Sequence, residues 1–308
     1  MTLLPPSAPP RRRGLQRPRP RLRQRLPRRA NVLTGTLRHT RVPLALERAV
    51  SVIVPTYNTA PALPAVLHAL VHDTEGAVAE VLVIDNASTD GTPDVVRALM
   101  VEDPMIGATV RLLENPENLG YGGSIKRSFA QLSTTAPFVA VVHSDQQCDA
   151  ATTVLDMAAA FALHPEPDVV LASRFRAGAE TGDYSLARRL ANHFFNAFTR
   201  TLSGLRMSDA GTGIMLARSS AIDRMPFEQL TSGYQFHPQL NLLIYGDPQL
   251  TVAEVPLCWR DASVGVRFSL TGYALVLTRM LLLFAWHRRV RRRPIGEAVV
   301  AASQGSPR

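Results

Sequence analysis

The chain alternates short apolar runs with polar loops and helix-like segments through its first half. Predicted strands cover residues 51–55, 80–85, 109–113, 138–142 and 168–172. Strands that alternate with helices favour an α/β fold with a mostly parallel sheet flanked by helices. Right-handed crossovers then bring the loops after the strands to one edge of the sheet, where such folds bind ligands.

The second half is less regular. Helices are predicted over residues 185–203 and 234–245, and strands near residues 214–217 and 250–259. Three phenylalanines of the first helix, Phe194, Phe195 and Phe198, are interpreted as one buried face, with a lipid groove as the alternative.

The positive charge lies at the termini. The net charge is +9, yet ten arginines and no acids lie between Arg11 and Arg29, and five more arginines lie between Arg288 and Arg293. Residues 1–45 are therefore predicted to be a disordered arm. Such an arm either contacts an anionic membrane surface or nucleic acid, or is a solvated tail; no specific nucleic-acid partner is expected.

The rest of the composition favours a cytoplasmic protein. Two cysteines, Cys148 and Cys258, form neither a disulfide framework nor a zinc-binding spacing. The N-terminus lacks the apolar core of a secretory signal. The expected location is the cytoplasm, peripheral at the inner face of the membrane. The oligomeric state cannot be read from the sequence.

An apolar C-terminal segment explains the expected membrane contact. Residues 270–286 are mostly apolar but contain Arg279, and they precede the arginine cluster. The segment is short for a membrane span, so we favour a helix lying in the membrane interface. The alternative is a helix packed on the protein's own core. The predicted divisions are the arm at 1–45, a catalytic domain at 46–268, the interfacial helix at 269–293 and a tail at 294–308.

Residues 143–149 (HSDQQCD) follow the predicted strand at 138–142. Asp145 and Gln147 are two positions apart, so their side chains can point the same way at a strand end. Both offer oxygen atoms, which suit a divalent cation held by few protein ligands plus substrate phosphates. An aspartate after a strand is also a common helix cap or turn residue.

Two further loops suit a nucleotide. Asp85 and Asp90 flank a turn after a strand, where a carboxylate can accept a base N–H or ribose hydroxyls, or can cap a helix. The glycine loop at 120–123 lets backbone N–H groups approach a ligand, and the helix behind it favours anions.

Together these stretches resemble family 2 glycosyltransferases of the GT-A fold. The resemblance is carried by residues 52–58 (VIVPTYN), 83–92 (VIDNASTDGT) and 118–124 (NLGYGGS), and it runs from about Val50 to Phe268. Within the family the chain is most similar to polyprenyl-phosphate (dolichyl-phosphate) hexose synthases. That likeness is carried by residues 172–175, Arg188 and Arg189, Asp209, Gly213 and residues 253–256.

The resemblance implies a role for each candidate residue. Nucleotide-binding residues would be Pro55, Tyr57, Asn58, Asp85, Asn118, Gly120 and Gly123. Asp145 and Gln147, with His143 as a further candidate, would hold Mg²⁺ or Mn²⁺. The acceptor phosphate would bind Arg174, Arg188, Arg189 and Arg267, and the catalytic set would be Asp145, Asp209 and Arg174, with Asp209 facing the sugar or the acceptor.

The implied activity is metal-dependent transfer of a hexose, with inversion, from a nucleotide-sugar donor to a polyprenyl phosphate. Two positions depart from the family pattern. His143 stands where an aspartate is common, and Arg267 follows Gly265 where the synthases often have a serine and a lysine. The alternatives are a soluble glycan or secondary-metabolite acceptor, and a non-catalytic protein that binds nucleotide sugars or anions.

Overall fold

The computed structural model describes residues 47–132, 136–162, 166–182, 184–260 and 270–305. Seven strands form one sheet; they are β1 (Val50–Thr56), β2 (Val78–Asp85), β3 (Val110–Glu114), β4 (Phe138–Val141), β5 (Val169–Ser173), β6 (Met215–Arg218) and β7 (Val252–Pro256). The spatial order is β3-β2-β1-β4-β6-β5-β7. β6 runs antiparallel to β4 and β5, and the other neighbours are parallel. The predicted α/β class with a mostly parallel sheet is therefore confirmed.

Helices cover both faces of the sheet. They are α1 (Leu63–His72), α2 (Thr92–Glu102), α3 (Pro104–Thr109), α4 (Tyr121–Phe129), α5 (Ala150–Ala159), α6 (Leu186–Ser203), α7 (Ser219–Asp223), α8 (Phe236–Gly246), α9 (Leu270–Arg289) and α10 (Ile295–Gln304). The short helices α3 and α7 were not expected from the sequence.

Alternate residues of each central strand point to opposite faces of the sheet and pack into two separate apolar cores. In β1, Val50, Val52 and Val54 pack with α1, α2, α3 and α5, whereas Ile53 packs with α4, α8, α9 and α10 on the other face. This alternation follows from the two-residue period of a strand. Because both faces are covered, these central strands are apolar nearly throughout.

The C-terminal segments correct the predicted division of the chain. Residues 295–304 are not a tail, because α10 buries Ala298, Val299 and Ala302 in the second core. One face of α9 is buried in the same core, through residues that include Met280 and Phe284. For that face, the alternative of a helix packed on the protein is the correct one.

The opposite face of α9 is exposed, and so is part of α6. On α9, Leu275, Leu282 and Trp286 are exposed. On α6, Phe194 is 72% exposed, which overturns the prediction of a fully buried phenylalanine face. None of the described helices is both long and apolar enough to cross a membrane. The predicted arm at 1–45 lies outside the described residues.

Candidate active site

A cavity of about 260 Å³ lies where the carboxyl ends of the parallel strands meet. Its walls come from the loops after β1, β4, β5 and β7, the loops before β6 and α8, and parts of α4, α6, α8 and α9. The predicted site residues that line it are Pro55, Tyr57, His143, Asp145, Gln147, Arg174 and Arg188.

The loop after β4 is a tight, self-bonded turn. Ser144 is buried, and its hydroxyl donates to the Pro55 carbonyl at 2.9 Å, which ties this loop to the end of β1. Gln146 has a φ of 57°, and the Gln147 amide donates to Asp145 Oδ1 at 3.2 Å. This turn keeps Asp145 and Gln147 on the cavity wall.

The donor set in this turn fits a sparsely held divalent cation. Asp145 is the one carboxylate among the described residues of the cavity wall. Gln147 Oε1 lies 3.5 Å from His143 Nδ1, so an amide oxygen and an imidazole stand beside the carboxylate. The described residues contain no group of three His, Cys, Asp or Glu side chains able to hold a metal ion. A cation here would therefore need oxygen atoms of a ligand to complete its coordination.

Arg174 is held by a buried ion pair. Its Nε and Nη2 donate to the two Asp209 carboxylate oxygens at 2.7 and 2.8 Å, and its Nη1 donates to Tyr184 Oη at 3.2 Å. Burial alone would lower the pKa of Arg174, but the charge and hydrogen bonds of Asp209 raise it. The guanidinium therefore stays protonated, with one edge against Asp209.

The geometry corrects the expected position of Asp209. Its side chain has no exposed surface, and it is absent from the described cavity wall. Besides Arg174, the Gly211 amide donates to its carboxylate at 3.1 Å. Asp209 therefore holds Arg174 and the loop before β6, and its carboxylate does not line the described cavity, where a sugar or acceptor was expected to meet it.

The other arginines predicted to bind the acceptor phosphate do not all lie at the cavity. Arg188 lines the cavity, and its guanidinium lies 4.5 Å from the centre of the Tyr184 ring. Arg189, the next residue of α6, is exposed and is absent from the described wall. Arg267 lies outside the described residues. Of the two neighbouring arginines, the structure thus brings only Arg188 to the cavity.

The loops after β1 and β2 form a frame behind the cavity. The Thr89 amide donates to Asn58 Oδ1 at 2.8 Å, and the Asn58 amide donates to Ser88 Oγ at 2.9 Å. Asp85 is 2% exposed and accepts from the Ser88 amide at 2.9 Å. Its second oxygen, Oδ1, is buried with no partner among the described residues. An orphaned acceptor of this kind suits a donor supplied by a ligand.

Asn118 and the glycines have a structural explanation that the sequence did not suggest. Asn118 Oδ1 accepts from Asn86 Nδ2 at 2.8 Å and from the Gly120 amide at 2.9 Å. Gly120 has a φ of 75°, and a Cβ there would lie 2.5 Å from the Ser232 carbonyl oxygen. The Gly123 amide donates to the same oxygen at 3.1 Å. The glycines of this loop therefore pack against residues 231–233, and none of them is on the described cavity wall.

Aromatic side chains of the cavity wall were missed as site residues. They are Tyr121, Tyr234, His237, Trp259 and Tyr273. The Tyr121 and Tyr234 rings stack with centroids 5.7 Å apart. Tyr121 lies inside the recognised glycine motif, which was the available signal; the others are distant in sequence and look like core residues.

His237 is the most deeply buried titratable group of this wall. Burial, with a smaller contribution from His143, lowers its pKa to about 3. The ring is therefore neutral near pH 7, with one donor nitrogen and one acceptor nitrogen.

The family follows from the sequence profile. Residues 51–230, more than half of the chain, match the description Glycosyl transferase family 2. The chain belongs to this family. It is therefore a glycosyltransferase, and the resemblance found in the motifs is confirmed.

Two relatives match most of the chain. An undecaprenyl-phosphate mannosyltransferase from Micrococcus luteus is 26% identical over 76% of this chain and 94% of its own length. A polyprenol monophosphomannose synthase from Mycolicibacterium smegmatis is 24% identical over 70% of this chain and 78% of its own.

Solved structures share the fold. A glucosyl-3-phosphoglycerate synthase from Mycobacterium tuberculosis, in complex with Mn²⁺, uridine-diphosphate-glucose and phosphoglyceric acid, superimposes with a TM-score of 0.60 and 20% identity. The match covers 85% of this chain and 87% of that chain. The same synthase was also solved with Mg²⁺ and uridine diphosphate, with a TM-score of 0.55, 19% identity and 79% of each chain covered. These likenesses confirm the GT-A type of fold.

Proposed function

We propose that this glycosyltransferase moves a hexose from a nucleotide-sugar donor to a polyprenyl phosphate, with inversion, at the cytoplasmic membrane face. The observation that carries the proposal is that Asp145, Gln147, Arg174 and Arg188 line one cavity. A diphosphate and a phosphate acceptor both carry negative charge, and this cavity provides one candidate cation site and two guanidinium groups.

The donor side is proposed from the residues at the end of the sheet. Pro55 and Tyr57 on the cavity wall, with the orphaned Asp85 oxygen behind them, would hold the nucleotide base. Asp145 and Gln147, and His143 as an additional ligand, would hold Mg²⁺ or Mn²⁺. When bound, such a cation stabilises the negative charge that develops on the departing diphosphate.

On the acceptor side, the reaction needs a positively charged side chain to bind the phosphate rather than a general base. A phosphate acceptor is already anionic at neutral pH, so no strong general base is required. Arg188, and the outward edge of Arg174, would orient its oxygens, since guanidinium groups pair well with phosphate. Direct attack by this phosphate from the face opposite the leaving group inverts the anomeric centre. A double displacement would need a nucleophile, and Asp145, the one carboxylate of the described wall, is assigned to the cation.

An exposed apolar strip supports a lipid acceptor. Leu186, Leu190 and Phe194 are 71%, 61% and 72% exposed, and their spacing of four places them on one face of α6. Arg188 of the same helix lines the cavity. We define these three residues as the α6 strip and propose that it lies in the membrane interface together with the exposed face of α9.

A soluble phosphate acceptor is the second candidate. It is favoured by the structural neighbour, a glucosyl-3-phosphoglycerate synthase whose crystal structure contains phosphoglyceric acid together with uridine-diphosphate-glucose. Both candidates present a phosphate group to Arg174 and Arg188, so the two differ in what is attached to that phosphate.

The test is a radiolabelled transfer assay with a panel of UDP- and GDP-hexoses, Mn²⁺ or Mg²⁺, and either a short polyprenyl phosphate or phosphoglyceric acid. Label in the organic phase, lost in Asp145→Ala and kept in Asp94→Ala, is the expected result. Asp94 is a suitable control because its carboxylate is 84% exposed on α2. Label only in the aqueous product would establish the soluble acceptor, and no transfer to either would reject the proposal.

The metal preference gives a further prediction. Imidazole binds Mn²⁺ better than Mg²⁺, so Mn²⁺ should support transfer at least as well as Mg²⁺ if His143 is a ligand. A metal titration of the transfer rate measures this. A clear preference for Mg²⁺ would count against His143 as a ligand.

The membrane contact is tested with vesicles that contain anionic lipid. Replacing two residues of the α6 strip, Leu190 and Phe194, by glutamate should weaken co-sedimentation with vesicles. The matched control places glutamate at Val101 and Met105, which are 85% and 55% exposed but lie on α2 and α3. Equal vesicle binding by both variants would reject the α6 strip as the contact.

A further inference from the structure

His237 is a polar side chain of the cavity wall without a polar partner. It is the second residue of α8 and is 3% exposed. Neither Nδ1 nor Nε2 has a hydrogen-bond partner among the described residues. Buried polar atoms are normally paired, so a group left in this state needs an explanation. A ligand in the adjoining cavity would supply the missing partners.

The ring is held in place by close packing. The Tyr121 ring lies 5.2 Å from it, centroid to centroid, and the Phe236 ring lies 5.5 Å from it. On a third side is Gly213, where a Cβ would come within 2.9 Å of His237 Cδ2 and 3.0 Å of both Tyr121 Oη and His143 Nε2. The absence of a side chain at Gly213 therefore lets three cavity side chains converge. A ring confined in this way is organised before any ligand arrives.

The chemistry of this corner differs from that of the arginine side. A neutral imidazole offers one donor and one acceptor, which matches a hydroxyl group and gives little attraction to a phosphate. The stacked Tyr121 and Tyr234 rings add aromatic surface next to it. An uncharged molecule with several hydroxyl groups and apolar C–H faces fits such a corner. Within a nucleotide sugar, that part is the hexose.

We propose that His237 is a specificity-determining residue that hydrogen-bonds a hydroxyl group of the transferred hexose. This inference rests on the proposed function, because it assumes a nucleotide-sugar donor in this cavity. A site built to bond one hydroxyl discriminates strongly against an analogue that lacks it, since the buried polar group is then left unpaired. His237 would thus select among hexoses, whereas the diphosphate part would be bound elsewhere in the cavity.

The experiment compares the binding of a nucleotide with that of its sugar conjugate. Isothermal titration calorimetry in Mn²⁺ would use UDP and GDP, and then their glucose, galactose and mannose conjugates, with the wild-type chain. The conjugate that binds best is then titrated into His237→Leu and His237→Gln. His68→Leu is the matched control, because His68 is an exposed histidine of α1, away from the cavity.

The expected result is a selective loss. His237→Leu should bind the sugar conjugate about tenfold more weakly than the wild type does, and the nucleoside diphosphate within about twofold. His237→Gln keeps a donor and an acceptor and should recover most of the lost affinity. Conjugates in which the sugar lacks a single hydroxyl group should then identify the hydroxyl that His237 contacts. For one of them, the wild type should bind the deoxy form about tenfold more weakly than the parent conjugate. His237→Leu should bind that deoxy form and the parent conjugate equally well.

Thermal unfolding separates a ligand contact from a structural role. Since neither ring nitrogen has a partner in the described part of the chain, the unliganded His237→Leu variant should unfold at the same temperature as the wild type or higher. A lower unfolding temperature, together with equal weakening of diphosphate and conjugate, would overturn the inference.

The outcomes also separate this inference from the proposed function. Wild-type binding and transfer with unchanged sugar affinity in His237→Leu would overturn the inference and leave the proposed function standing. A wild-type chain that binds no nucleotide and transfers no sugar would overturn both.

Discussion

The polar side chains on the two sides of the cavity differ in how completely they are hydrogen-bonded within the protein. On one side, the loops after β1, β2 and β3 bond mainly to one another; Asn86 alone bonds Asn115, Asn118 and Leu119. On the other side, around β5, β6 and α8, the cavity wall includes Trp259 and His237, whose ring nitrogens have no partner among the described residues.

This contrast separates a mostly self-bonded frame from a side that is more open for a ligand. In the frame, two buried side-chain atoms, Asp85 Oδ1 and Thr59 Oγ1, also lack a partner among the described residues. A self-bonded network holds its shape without ligand. Buried donors and acceptors without partners cost stability, and such a cost is common where binding depends on it. We therefore expect substitutions of fully paired groups, on either side, to act through stability, and substitutions of orphaned groups to act through binding.

The ion pair between Arg174 and Asp209 should give the largest effect on stability. Asp209→Asn leaves a buried guanidinium without its counter-charge, and removing one partner of a buried pair costs about 3–5 kcal/mol. Urea unfolding measures the loss of unfolding free energy. Sugar transfer should fall as well, because Arg174 would lose its orientation.

A surface pair and a double replacement serve as controls. Arg97 and Asp94 are 51% and 84% exposed, so Arg97→Ala should cost about 1 kcal/mol or less. Replacing Arg174 by Met and Asp209 by Leu together should recover much of the stability but not the transfer. A loss below about 1 kcal/mol in Asp209→Asn would place this pair with the surface pairs.

Asn86 is the corresponding test on the frame side. It is 6% exposed, and its side chain makes three hydrogen bonds, at 2.8, 2.9 and 3.0 Å. Asn86→Ala removes these three bonds and leaves the Leu119 amide without a partner among the described residues, so it should lower the unfolding free energy by about 1–3 kcal/mol. If calorimetry instead showed lost nucleotide binding with unchanged stability, the distinction between frame and open side would fail.

The smallest effect concerns acid. Burial raises the pKa of Asp90, whereas hydrogen bonds from the Thr92 hydroxyl and from the Ala60 and Thr92 amides lower it. The hydrogen bonds outweigh burial, so the net pKa lies below the ordinary 3.8. A carboxylate with a depressed folded pKa stabilises the protein above its unfolded pKa, and that contribution is lost as pH falls through the folded pKa.

The matching measurement compares the wild type with Asp90→Asn in urea unfolding between about pH 7 and pH 3. The wild type should be slightly more stable at neutral pH, and the difference should shrink as the pH drops below 3.8. A difference that stays constant with pH would mean that the Asp90 charge does not contribute.

The frame side was more accessible to sequence reasoning than the open side. In the frame, side chains bond backbone groups of nearby turns, as Asp90 does with Thr92, so particular residue types recur at fixed offsets. The strand pattern was equally readable because its two-residue period follows directly from geometry. The reversed direction of β6 could not be read this way, since three apolar residues followed by an arginine do not indicate the direction of a strand.

The open side depends on contacts between distant segments. His237 and Gly213 meet only after α8 has packed on the sheet, and in sequence His237 looks like an ordinary helix residue. Asp209 was recognised as part of a motif, but its burial behind Arg174 was not, because a motif gives residue types without showing which side chain reaches the cavity. The C-terminal helix α10 was missed because its apolar residues are buried only by contact with α8 and α9, which are separate segments of the chain.

The helix α9 fixes the distance between the cavity and the arginine cluster. Its twenty residues span about 30 Å, with Tyr273 on the cavity wall near one end and Trp286 beside the arginines near the other. About 20 Å therefore separates these two side chains along the axis. If Trp286 contacts a bilayer and the axis of α9 is perpendicular to the membrane surface, the cavity lies about 20 Å above that surface, out of reach of a phosphate attached to a lipid. Only a helix lying nearly flat keeps that phosphate within reach, so under the proposed lipid acceptor the orientation of α9 decides whether the reaction is geometrically possible.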